Sequence, residues 1–104
     1  MIAAIAERRE DLAALCRRFD VTRLEVFGSA ARRAHFDDAT SDVDFLVELR
    51  PRTDELVRLL DLREALEGLL GRRVDLVERR VVEASRNYIR RRHILSGAEA
   101  VYTA

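Results

Sequence analysis

The chain has no lysine and no tryptophan, a single cysteine, a single proline and only four glycines among its 104 residues. Each scarcity excludes something. One cysteine, Cys16, cannot close an internal disulfide, so the expectation is a core held without cross-links in a reducing, cytoplasmic compartment. No apolar run approaches the roughly 20 residues that span a bilayer. The opening MIAAIAERREDLAALCRRF is broken by charge too early for a secretory leader. With no repeat, linker or low-complexity stretch, residues 1–104 are expected to form one domain. Nineteen basic residues meet nineteen acidic ones, a net charge of zero, which speaks against a dedicated duplex-binding surface. Every basic residue is arginine. That uniformity is read as genome composition rather than nucleic-acid recognition.

What the chain does contain is regular patterning. Residues 2–19 repeat apolar side chains at helical spacing, through Ile2, Ile5, Leu12, Leu15, Cys16 and Phe19, with Cys16 facing a core. VTRLEVF, residues 21–27, alternates and is rich in β-branched and aromatic residues, so it reads as a strand. SAARRA, after Gly28, suggests a short helix, and HFDDATS a polar loop. DVDFLVEL, 42–49, is a second strand, stopped by Pro51. The pattern predicts an amphipathic helix over 53–69, burying Leu56, Leu59, Leu60, Leu66 and Leu69 and capped by Thr53. Gly71 punctuates, RVDLVER (73–79) is a third strand, and a last helix covers 82–95. The order αβαβαβα implies an α/β fold, a small mixed sheet flanked by helices.

Three acids do not fit a plain structural reading. In a strand, residues two apart share a face, so Asp42 and Asp44 point one way while Val43, Phe45, Val47 and Leu49 point into a core. Asp75 occupies the middle of the third strand, where an apolar residue would be at home. If the second and third strands are neighbours, three carboxylates converge on one side of the sheet. Two bare carboxylates about 5 Å apart repel by about 3 kcal/mol at an effective dielectric near 20. A hard divalent cation such as Mg²⁺ relieves that repulsion, and a pair of such ions activates phosphoryl transfer. Upstream, Gly28-Ser29 ends a strand and opens a helix, offering backbone N–H groups and a hydroxyl to anionic oxygens; Arg32, one turn on, adds charge there. The basic run Arg86, Arg90, Arg91 and Arg92 reads as a solvated or partner-facing helix face, and His35 and His93 as surface residues.

These residues, FGSAARR, SDVDFLVEL and RVDLVE, resemble the nucleotidyltransferase superfamily of DNA polymerase beta, and more narrowly the minimal nucleotidyltransferase (MNT) proteins. The resemblance extends through the terminal NYIRRRHILSGAEAVY. It implies that Asp42 and Asp44 are metal ligands, that Asp75 is the third catalytic carboxylate, and that Gly28 and Ser29 hold the nucleotide triphosphate. The spacer AARRAHFDDATS is longer than the family's usual one by two residues, an inexpensive loop insertion. Larger members of that superfamily hold the acceptor on a second domain; none is expected here, so the acceptor is expected to come from another molecule. The resemblance implies a HEPN-domain ribonuclease toxin as partner, and Mg²⁺-dependent transfer of AMP from ATP to a tyrosine of that toxin, the chain serving as antitoxin. Two alternatives stay open: an antitoxin that neutralises by binding alone, and a small-molecule nucleotidyltransferase.

Overall fold

The computed structural model describes residues 1–28 and 42–104. The expected short helix after Gly28, and with it Ser29, Arg32 and His35, therefore lies outside the described residues. Residues 2–19 form two helices rather than one, α1 (Ala3–Ala6) and α2 (Arg9–Arg18), separated at Glu7 and Arg8. Both keep the anticipated apolar positions, since Ile5, Leu12 and Cys16 are fully buried. Burial pushes the Cys16 thiol up to about 12, which makes it an inert packing residue.

The described strands form one mixed sheet. β1 (Val21–Phe27) pairs antiparallel with β2 (Val43–Leu49), and β2 pairs parallel with β3 (Val74–Glu78). A strand not anticipated from the sequence, β4 (Glu99–Thr103), pairs antiparallel with β1, giving the order β3-β2-β1-β4. On one face Leu24, Val26, Val43, Phe45, Val47 and Val74 pack against α2 and α3 (Glu55–Leu70). On the other a smaller cluster, Leu46, Val82 and Ile94, is covered by α4 (Arg79–Glu83) and α5 (Tyr88–Gly97). Among the described residues no helix is long and apolar enough to cross a membrane.

Two helical expectations need correction. In α3 the inward stripe runs Arg58, Leu62, Leu66, Leu70, while Leu56 and Leu60 are 68% and 48% exposed. Arg58 takes the inward place because its guanidinium finds polar partners there, donating to the Arg50 carbonyl and lying 4.0 Å from the Asp20 carboxylate. Asp20 itself adopts a left-handed φ of 59°, which a short polar side chain tolerates, and accepts from Arg50 Nε at 3.0 Å. Thr53 is not the cap: Asp54 flanks the helix start, and no side chain caps it. Gly71 closes the other end in the left-handed conformation, φ 67°. The expected single helix over 82–95 is likewise two. Ser85 Oγ accepts from the Asn87 backbone N–H at 3.3 Å and Asn87 Oδ1 from that of Arg90 at 3.1 Å. Such local side-chain bonds compete with helix continuation and start a new helix instead.

Candidate active site

The pairing pattern decides where the chemistry collects. Because β1 runs antiparallel to β2 and β3 runs parallel to it, the end of β1 and the starts of β2 and β3 meet at one edge. Cross-strand partners share a face, and the register sets Phe27 opposite Asp44 and Asp44 opposite Asp75. One row of the sheet is thus Phe27–Asp44–Asp75, and the next is Glu25–Leu46–Val77. Leu46 in the second row is buried beneath Val82 and Ile94. The first row lies beyond that cover and opens into a cleft of about 510 Å³.

The cleft floor is Phe27, Gly28, Asp44, Asp75 and Val77; Arg90, His93, Ile94, Ser96 and Gly97 of α5 form the facing wall. Gly28 has φ +70°, and a Cβ placed there would fall 2.7 Å from Asp44 Oδ2. Only glycine satisfies both the conformation and the space. Asp44 is half-buried, and Asp42 and Asp75 are exposed. Burial, reinforced by the neighbouring charges of Asp75 and Asp42, pushes the Asp44 carboxyl up to about 6. The chain has thus gathered acids that repel one another beside a place where the backbone can be closely approached.

The helical cover is pinned by charge as well as by apolar packing. Glu25, 4% exposed in the second row, accepts from Arg79 at the start of α4 and pairs with Arg23 at 3.2 Å. Arg79 also lies 3.9 Å from Glu83. This pair holds α4 down on β1, and α5 follows from it.

Among the described residues no three His, Cys, Asp or Glu side chains converge closely enough to hold a metal ion by themselves. The donor set still fits Mg²⁺, which is commonly bound through one or two carboxylates and completed by water and substrate phosphates. The raised Asp44 carboxyl agrees with that fit, since a cation at this spot would offset both the burial and the neighbouring acidic charges that raise it.

Of the residues singled out from the sequence, Gly28, Asp44 and Asp75 come together in the cleft, with Asp42 near enough to act on Asp44. Ser29 and Arg32 lie outside the described residues. The sequence pattern puts Arg90 on a solvated or partner-facing helix face and His93 at the surface. Both are exposed, but the surface they belong to is the cleft wall. Their one signal was spacing, since residues three apart share a helix face.

Comparison with known proteins agrees with this geometry. A family model for a nucleotidyltransferase domain matches residues 9–96. The protein adenylyltransferase MntA of Thermococcus cleftensis is 47% identical over 60 residues, 58% of this chain and 58% of that protein. The match therefore spans less than two thirds of that relative. A solved minimal nucleotidyltransferase superposes with a TM-score of 0.68 at 40% identity, over 90% of this chain and 89% of that one. At 16% identity, a TM-score of 0.62 and coverage of 96% and 73%, the fold also resembles a chain in the structure of a tri-AMPylated Shewanella oneidensis HEPN toxin in complex with MNT antitoxin.

Proposed function

The chain belongs to the nucleotidyltransferase domain family, and we propose that it is a cytoplasmic, Mg²⁺-dependent adenylyltransferase that moves AMP from ATP to a tyrosine hydroxyl of a HEPN-domain toxin, acting as that toxin's antitoxin. The observation that carries the reading is the in-register pair Asp44–Asp75 beside Gly28 in an open cleft. The MntA relative, a protein adenylyltransferase by name, supports the reaction class. The complex with an AMPylated HEPN toxin supports the partner class.

In this reading Asp42, Asp44 and Asp75 would hold the metal together with substrate oxygens, and the bound ion would neutralise phosphate charge and polarise the reacting phosphate. Gly28 lets the nucleotide's phosphate approach the backbone beside Asp44, and Ser29 adds a hydroxyl. The acceptor hydroxyl oxygen forms a bond to the α-phosphorus as the bond from that phosphorus to the β-bridging oxygen breaks. Pyrophosphate leaves. The hydroxyl proton passes to Asp75, whose exposure on the open side leaves it accessible to a protein acceptor. Most of the acceleration comes from alignment and charge neutralisation.

The test is direct. The chain is mixed with the purified product of its neighbouring gene, expected to be a HEPN protein, with MgCl₂ and α-labelled ATP, and label is followed on a gel. Transfer to the partner, abolished by Asp44→Asn, is the expected result; an unlabelled partner with the wild-type chain refutes the enzymatic reading.

A further inference from the structure

The acids account for the cleft floor, whereas the facing wall is cationic and has so far been given no task. Between Ala84 and Ala98 the chain carries Arg86, Arg90, Arg91, Arg92 and His93 and no carboxylate at all. Elsewhere several arginines of the sheet and its connections are engaged: Arg50 with Asp20, Arg79 with Glu25, Arg80 with Glu55 and Glu78. Arg90, by contrast, has no ion-pair partner for its guanidinium among the described residues, while its backbone N–H donates to Asn87 Oδ1. It stands on the same helix face as His93, and both line the same cleft as Asp44 and Asp75. Ile94, buried in the cluster with Leu46 and Val82, anchors the helix directly beside them.

A cationic wall facing an acidic floor without pairing to it marks the seat of an elongated anion that needs both. The floor binds phosphate only through a cation; the wall binds it directly. We propose that Arg90 and His93 form the polyphosphate-binding wall of the site. Arg90 takes the terminal phosphates of a nucleoside triphosphate through its planar fork, and His93 donates a ring N–H to the same group. This inference rests on the nucleotidyl-transfer reading and adds an orientation to it. The α-phosphate lies over Asp44 and Asp75, the β- and γ-phosphates point toward α5, and the departing pyrophosphate stays on Arg90. Arg90 is thus a binding and positioning residue rather than one that exchanges protons.

The experiment is an anisotropy titration of the full chain with a fluorescent ATP analogue in MgCl₂, with inorganic tripolyphosphate as competitor. Wild type is expected to bind the analogue and release it to tripolyphosphate. Arg90→Gln is expected to weaken binding by about tenfold, the loss typical of one charge-assisted contact, and to blunt competition by tripolyphosphate. Arg90→Lys should recover part of the affinity, and His93→Gln should lose less than Arg90→Gln. Arg86→Gln, outside the cleft, should bind like wild type. Thermal melts of each variant exclude misfolding. Unchanged binding by Arg90→Gln, or an equal loss in Arg86→Gln, overturns the inference while leaving nucleotide binding intact. If wild type binds no nucleotide, the transfer reading falls and takes this inference with it.

Discussion

Asp44→Asn should make the free protein more stable while destroying its activity. The Asp44 carboxyl rises from 3.8 to about 6, chiefly through burial and then through Asp75 and Asp42. At 1.36 kcal/mol per pKa unit that is a cost of about 3 kcal/mol to ionise Asp44 in the native state. The side chain is partly open to water, and screening reduces this to about 1.5 kcal/mol. The sign follows from proton counts. Between about pH 4 and 6 the native state holds a proton that the unfolded chain has released, so stability from this group falls as pH rises and the penalty is complete above about 6. Asparagine keeps the shape and never carries the charge. In metal-free buffer the variant and wild type should therefore melt together near pH 4 and diverge by roughly 6–12 °C above pH 6.5, taking about 4–8 °C per kcal/mol for a domain of this size. Scanning calorimetry across pH 4–8 with EDTA present reads the gap. A gap of zero at pH 7.5, or one that does not depend on pH, refutes the claim that burial and the neighbouring acids make the Asp44 charge costly in the folded state. MgCl₂ should narrow the gap by stabilising wild type alone.

Gly28→Ala should destabilise by about 1–2 kcal/mol, from left-handed strain and from a methyl 2.7 Å from Asp44 Oδ2, and should also abolish transfer; chemical denaturation and the labelling assay check both. Arg79→Ala leaves Glu25 buried with Arg23 as its remaining partner and should cost about 3 kcal/mol, whereas Glu25→Met with Arg79→Met should recover most of it in urea titrations. Leu66→Ala, at a fully buried position, should cost about 2–5 kcal/mol, and Leu60→Ala, on the exposed side of α3, should stay within about 0.5 kcal/mol. Equal losses at those two leucines would mean that the stripe through Arg58 is wrong.

How much of this was legible depended on how local the deciding interaction is. Alternation in DVDFLVEL assigned Val43, Phe45 and Val47 to the core, and they are buried there. The same alternation left Asp44 on the opposite face, and the misfit of Asp75 in its strand anticipated the register that pairs them. The phase of α3 was not legible. Leu56, Val57, Leu59 and Leu60 offer overlapping apolar stripes, and the choice between them turns on Arg58 reaching Asp20 and the Arg50 carbonyl, groups that lie outside the helix. β4 escaped notice for a similar reason. Five residues near the chain end carry little periodic signal, and what makes them a strand is an edge of β1 seventy-odd positions earlier. Arg90 and His93 read as surface because nothing in a helix of arginines says what stands across from it.

The two faces of the sheet carry unequal duties, and that inequality explains where the site is exposed. The face under α2 and α3 holds most of the buried apolar residues and contains no acid of the triad. Among the described residues the other face has the smaller buried core, Leu46, Val82 and Ile94 with Phe27, Val77, Leu95 and Ala98 packed against it, and these helices leave one row of cross-strand partners open to the cleft. The uncovered row is the one bearing Asp44 and Asp75. Charge therefore accumulates where the apolar layer runs out, and its destabilising effect is confined to the edge rather than transmitted into the main core. The position of α5, and with it the distance from Arg90 to the acids, rests on Ile94 packed with Leu46 and Val82 and, through α4, on the ion pair of Glu25 and Arg79. A substitution there, well removed from any reacting atom, should loosen the wall against the floor. Arg79→Ala should accordingly raise the KM for ATP more than it lowers kcat, even at temperatures where the variant remains folded.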